Sequence, residues 1–378
     1  MTQSDLATDR EALQAIVQQG RALILEQQHP GGAYPASPTF SAYRGFSWFR
    51  DGAFIADAMS ALGERDSAER FFDWCAATLE RQAGRISAVI AEAAAGIETP
   101  ADRMLPTRYT LDGAPGDVDW WDFQLDGYGT WLWALEEHVA RHGGDPTRWR
   151  RAVELTADYL LVSWRRPCFD WWEEHDAEVH VSTLGCVAAG LRSASRLGVL
   201  DAGLARRCGD TADAATDLIL EDGVADGRLR KWLGSNAVDG SLLALLAPLD
   251  VLDVTSAAAT GTLTAVETEL TVDGGVHRYA ADVYYGGGQW PLLSCFLGLA
   301  HLARGDEARA TELLRWAAGT ATRSGTMPEQ VADHLLHPDR LPEWETRWGR
   351  SADPLLWSYA MYIRLAVELR LTAGGETR

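Results

Sequence analysis

Two acidic residues stand side by side among aromatic rings in the segment Phe169-Asp170-Trp171-Trp172-Glu173-Glu174-His175. A carboxyl group beside apolar rings has its charged form disfavoured and its pKa raised. Such a group still carries its proton near neutral pH and can donate it. Packing of a tryptophan-rich loop is the alternative reading. A second glutamate follows a proline in Ser324-Gly-Thr-Met-Pro-Glu329-Gln330, where a carboxylate ordinarily complements the start of a helix. A third segment, Ser47-Trp48-Phe49-Arg50-Asp51, sets a forked donor beside an acceptor. That pair is what the vicinal hydroxyls of a sugar need, although a simple charge pair at a helix start has the same residues.

The composition bears on the same question. The 378 residues include 16 Trp. An indole offers a broad apolar face and one N–H donor, so the C–H face of a sugar ring can stack on it while the hydroxyls find polar partners. Ordinary core packing accounts for many of the 16. Acidic residues outnumber basic ones, 54 to 34, for a net charge of −20. Such a surface repels phosphate and argues against nucleic acid or an anionic membrane as partner. Among the 34 basic residues only Lys231 is a lysine. Five cysteines, odd in number and widely spaced, carry no CxxC pair, so neither a disulfide framework nor a zinc site is expected. The histidines likewise show no metal-binding spacing, and no metal or cofactor is expected. The N-terminus lacks a basic-then-apolar leader, and no run of 18 apolar residues occurs. A cytoplasmic location is the expectation.

Helical periodicity must supply the frame for these residues. Thr8-Asp-Arg-Glu11 reads as a capping box. Leu13, Ile16, Val17, Gly20, Leu23 and Ile24 follow on one apolar stripe. The same pattern predicts helices over 50–62, 66–94, 120–142, 147–164, 178–197, 200–220, 238–246, 254–270, 289–304, 306–322 and 354–372, about twelve in all. The best alternating stretch is 275–285. Long irregular stretches at 29–48, 95–118, 165–177, 271–288 and 324–352 are rich in Gly, Pro, Trp and charge. Loops of that length are functional or disordered, and their aromatic content argues against disorder. No Pro/Ser-rich linker divides the chain. The expected architecture is all-α, one domain over 1–378, a closed toroid whose long loops form a pocket at one end.

Five segments, in order, resemble motifs of glycoside hydrolase family 15, the glucoamylase and glucodextranase family. They are Trp48-Phe-Arg50-Asp51, Asp170-Trp-Trp172-Glu173-Glu174, Arg278-Tyr279 with Tyr284-Tyr285 through Trp290, Pro328-Glu329-Gln330, and Leu355-Leu-Trp357-Ser358-Tyr359-Ala360. The resemblance covers nearly the whole chain. It implies an (α/α)6 barrel and hydrolysis with inversion by two carboxyl groups, Glu173 as general acid and Glu329 as general base. It further implies that Glu174 and Arg278 hold the sugar at the cleavage subsite and that Arg50 and Asp51 bind the far hydroxyls of a terminal glucose. Trp120 matches the aromatic residue beneath the scissile bond, Tyr43 is a looser match, and Trp48, Trp172 and Trp290 complete the substrate-binding set. A pocket closed at its far end admits only a chain end, so cleavage is expected to be exo. The chain has no room for the β-sandwich domain of many bacterial members and shows no starch-binding appendage. It is most similar to compact members that cleave the α-1,6 bond of isomaltose. The expected partners are isomaltose or a small isomaltooligosaccharide as substrate and β-glucose as product. An α-1,4 or α,α-1,1 linkage, and a non-catalytic sugar-binding protein, are the alternatives.

Overall fold

A computed structural model of the chain describes residues 3–116, 120, 123–322 and 325–372. Helices alternate between an outer and an inner layer. Helix α1 (Gln3–Gln27) runs outside, α2 (Phe49–Ala61) inside and α3 (Arg65–Arg81) outside, with α4 (Ala83–Ala94) beside it. Then come α5 (Asp126–His142) inside, α6 (Arg150–Ser163) outside, α7 (Val181–Arg196) inside and α8 (Ala202–Asp222) outside. A short 3₁₀ helix, Gly240–Leu245, takes the next inner place, followed by α9 (Ala257–Ala265) outside, α10 (Pro291–Ala303) inside and α11 (Glu307–Gly319) outside. Helix α12 (Leu341–Trp348) lies within a long loop, and α13 (Leu356–Glu368) is the last inner helix.

The inner elements form a ring. Helix α2 packs on α5, α5 on α7, α7 on the 3₁₀ helix, the 3₁₀ helix on α10, α10 on α13, and α13 back on α2. This is the (α/α)6 toroid. The sequence explains which helices lie inside. In α2 every residue from Phe49 to Ser60 is buried, most of them apolar or small, and a helix buried all round belongs in a core. Small residues let the inner backbones approach. A Cβ on Gly129 of α5 would lie 2.1 Å from the carbonyl oxygen of Cys186 in α7, and one on Gly190 of α7 would lie 2.4 Å from that of Gly129. The two backbones touch where neither helix carries a side chain. Gly129→Ala is therefore expected to force α5 and α7 apart, at about 1–3 kcal/mol. Urea unfolding followed by circular dichroism should show a lower midpoint at an unchanged slope, and an unchanged midpoint would mean that the contact has slack.

The centre of the ring is filled, not open. Phe54 of α2 stacks on Trp357 of α13 with ring centres 5.5 Å apart and meets Phe296 of α10 at 5.3 Å. Trp171 closes the cluster, 5.5 Å from Trp357. These rings make a floor. Above it, Phe46–Trp48 pairs antiparallel with Arg108–Thr110 and ties the 95–118 loop to the rim. No helix among the described residues is long and apolar enough to cross a membrane.

The elements depart from the periodicity reading in instructive places. The single helix expected over 66–94 breaks at Gln82, leaving α3 against α2 and α6, and α4 against α6. The helix expected from 120 begins only at Asp126, so Trp120 lies on the segment before it. The inner element near 238–246 is 3₁₀, and the one over 254–270 ends in a π turn, Val266–Leu270. The stretch 275–285 is no long strand: only Gly275–Val276 pairs, with Thr271–Val272. Helix α12, inside a stretch read as loop, has Pro342 in its first turn, where proline is well placed.

Candidate active site

The loop between α6 and α7 carries Glu173. Asp170 shapes it: Oδ1 accepts the backbone N–H of Trp172 at 3.0 Å and that of Glu174 at 2.9 Å. This turn places Glu173 at φ +63°, a left-handed conformation that costs a non-glycine residue about 1–2 kcal/mol. Strain of this kind persists where surrounding bonds over-determine the backbone. The side chain is held as firmly. Trp48 Nε1 donates to Oε1 at 2.5 Å, and Trp120 Nε1 donates to Oε2 at 2.6 Å. Burial pushes the Glu173 pKa up to about 7, against the pull of Arg50 and the two indoles.

Glu329 sits in the loop that follows α11. Its backbone N–H donates to Ala352 at 2.8 Å, and the Ser358 hydroxyl donates to the carbonyl of Pro328 at 2.9 Å, so α13 and the segment leading to it hold this loop. The side chain is 2% exposed. The Tyr43 hydroxyl donates to Oε1 at 2.9 Å and lies 3.0 Å from the Tyr284 hydroxyl, while Oε2 is buried without a hydrogen-bond partner. Burial again raises the pKa, to about 7, and the bond from Tyr43 opposes it. Tyr43 and Trp48, which hold the two glutamates, touch edge to face with ring centres 5.4 Å apart.

The remaining groups complete the walls. Arg50, in the first turn of α2, donates to Gln124 Oε1 at 2.7 Å and to Asp126 Oδ2 at 3.0 Å, and its Nε lies 3.4 Å from Asp51. Asp51 is pushed up to about 6 by burial, against the attraction of Arg50. Arg278 makes a two-point contact with Asp282 and lies 3.5 Å from Glu174, which also accepts a bond from the Tyr279 hydroxyl. The Arg278 guanidinium faces the rings of Trp172, Tyr284 and Trp290 at 4.9–5.5 Å.

All eleven residues singled out in the sequence line one cavity: Tyr43, Trp48, Arg50, Asp51, Trp120, Trp172, Glu173, Glu174, Arg278, Trp290 and Glu329. It encloses about 920 Å³ of space between atoms, the open solvent at its mouth included. Phe40, Trp171, Leu355 and Trp357 line it as well, although the sequence did not mark them as site residues. Trp171, Leu355 and Trp357 stand within the matched motifs, so position alone was the signal for them. Trp344 and Trp348 of α12 stand at the mouth, and Trp344 meets the Tyr284 ring at 4.8 Å.

Two carboxyl groups from different loops in one cavity, Glu329 buried and Glu173 largely so, among stacking surfaces in a helical ring, are the outfit of a carbohydrate-cleaving site. The model of the family described as glycosyl hydrolases family 15 matches residues 10–320. The chain belongs to this family. Like other family 15 members it is a glycoside hydrolase. It is similar to isomaltose glucohydrolase of Kribbella flavida, 49% identical over 360 residues that cover 95% of this chain and 94% of that one. A solved glycosidase variant in complex with glucose superposes with a TM-score of 0.94 at 47% identity, covering 98% of this chain and 100% of that one. A bacterial glucoamylase complexed with acarbose, 21% identical, shares the fold, with a TM-score of 0.74 and coverage of 94% of this chain and 56% of that one.

Proposed function

We propose that this family 15 hydrolase removes glucose from the non-reducing end of isomaltose and short isomaltooligosaccharides, cleaving the α-1,6 bond with inversion to give β-glucose. The observation that carries the reading is the pairing of Glu173 and Glu329 across a pocket whose floor is closed by aromatic rings. Both oxygens of Glu173 already accept an indole N–H, so the proton of its acid form is left to be given to the glycosidic oxygen. Glu329 keeps one oxygen without a protein partner, and that oxygen is the one to accept a proton from water. Attack by water from the face opposite the departing sugar inverts the anomeric carbon. A closed floor favours a chain end over the middle of a polymer. The likeness to a relative named for isomaltose, over nearly the full length of both chains, supports the linkage. One catalytic domain over 1–378 and a cytoplasmic setting belong to the same proposal. They are supported by a ring that runs from α2 to α13 and by five free, buried cysteines.

The test compares kcat/KM on isomaltose, maltose, trehalose and an isomaltooligosaccharide series, with the first-formed anomer followed by proton NMR. Isomaltose should win and β-glucose should appear first. Preference for maltose, or activity that climbs with chain length, would reassign the substrate; initial α-glucose would mean retention.

The pH dependence follows from the two carboxyls. The acid must be protonated, so activity falls as pH rises through its pKa. The base must be ionised, so activity falls as pH drops through its own. Both are pushed to about 7, and they titrate as a pair whose singly ionised form is active. The bell of kcat/KM should centre near neutrality. Tyr43→Phe removes a bond that lowers the Glu329 pKa. The acidic limb should move up by about one to two units, since hydrogen bonds to charged groups amount to about 1.5–3 kcal/mol. An unmoved acidic limb would separate Tyr43 from the base.

A further inference from the structure

The chain's one lysine lies behind the acid loop. Lys231 is 3% exposed. Its Nζ stands 2.8 Å from Asp170 Oδ2, 2.5 Å from Asp239 Oδ2 and 4.0 Å from the centre of the Tyr279 ring. Each of these neighbours holds a different part of the site. The second oxygen of Asp170 accepts the two backbone N–H groups that set the turn around Glu173. Asp239 accepts Trp172 Nε1 at 3.0 Å and the backbone N–H of Ser241 at 2.8 Å, capping the inner 3₁₀ helix. The Tyr279 hydroxyl donates to Glu174. Lys231 itself does not line the cavity.

We propose that Lys231 is a positioning residue for the proton donor, holding the Asp170–Glu174 turn so that the Glu173 carboxyl meets the glycosidic oxygen. The proposal rests on the reading of Glu173 as general acid. Two carboxylates buried side by side are costly unless a cation lies between them. Without the ammonium, one of the pair must take up a proton or move. A protonated or displaced Asp170 is a poorer acceptor for the two N–H groups, and the positive φ of Glu173 then rests on fewer bonds, the backbone pair between Asp170 and Glu173 and between Asp170 and Glu174 and the two indoles on its side chain. The residue type fits the task. An ammonium is a compact point charge with three donors, whereas guanidinium is a wide planar fork. Arginine supplies the other basic residues of this chain, and lysine stands at the place where one nitrogen must meet two carboxylates beneath a ring.

The test first requires that the wild-type enzyme release β-glucose from isomaltose, a result that stands or falls with the reaction itself. Lys231→Met is then assayed on isomaltose and on α-glucosyl fluoride, whose leaving group departs without a proton donor. Because Lys231 lies outside the cavity, isomaltose kcat should fall about 100-fold, within the range of general acid catalysis, with KM changed less than about threefold. Turnover of the fluoride should fall less than about fivefold. Parallel losses on the two substrates would make Lys231 a general structural residue and overturn the proposal, as would isomaltose turnover near the wild-type rate. Lys231→Gln, which keeps a donor for Asp170, is read in the same way where the methionine variant does not fold. Failure of both variants to fold would likewise assign Lys231 to stability alone and overturn the proposal.

Discussion

Glu173→Gln is expected to cut isomaltose hydrolysis about 10²–10⁴-fold, the usual contribution of a general acid, and to spare α-glucosyl fluoride. The glutamine keeps the shape of the side chain and an oxygen for one of the two indole donors, so the pocket should survive. What disappears is the proton. An alkoxide leaving group depends on that proton, and fluoride does not. The measurement is the ratio of the two kcat values in variant and wild type. A ratio that stays constant would remove Glu173 from the acid role, because a disturbed pocket would penalise both substrates. The variant should also lose the alkaline limb of the pH profile, since that limb reports ionisation of Glu173.

Glu329→Ala should be as damaging, but without selectivity between the two substrates. Water activation is needed whatever the leaving group, so isomaltose and α-glucosyl fluoride should both fall by about 10²–10⁴. Sugar affinity should hold if, as proposed, the base meets water rather than the sugar: Trp172, Arg278, Glu174, Arg50 and Asp51, the expected sugar-binding groups, remain in the wall. Calorimetric titration with glucose checks this. The space left by the carboxylate should admit azide, which attacks without a base, and β-glucosyl azide formed from the fluoride would show the nucleophile's side of the ring directly. Turnover at the wild-type rate would exclude Glu329 as base.

The two assays together separate donor from base in a way that neither sequence nor burial does, for the two glutamates share their surroundings closely. Much of this site was nonetheless legible in the sequence. Paired carboxylates between indoles are chemically conspicuous, and helices such as α2 and α10 carry an apolar pattern that survives into the fold. What escaped were effects of distant partners. Tyr43 reaches Glu329 across 286 positions, and no local pattern announces that bond. Trp120 belongs to a stretch that reads as helix, yet it donates to Glu173 from the segment before α5: tertiary contact overrides the propensity. Lys231 is a single basic residue whose meaning comes only from the two carboxylates beside it. Helix α12 is short and interrupts a stretch dominated by loop composition, so its apolar spacing carried little weight beside Gly, Pro and charge.

The closure of the ring by α13 has a bearing on how the enzyme comes into being. The last inner helix packs between α10 and α2, its first residue bonds to Ala36 near the other end of the chain, and the residue before it bonds to Met327 in the Glu329 loop. Five of the six inner elements can therefore be made and packed while the seam stays open. An open ring has no wall where Trp357 belongs, and the Glu329 loop keeps only its bonds to Gly288, Gln289 and Tyr43. Such non-local joining is the slow kind of folding event, because chain entropy must be spent before the contact rewards it. A ring that lacks α13 is thus expected to be a catalytically mute arc, with the ability to cleave a glycoside arriving when that helix docks.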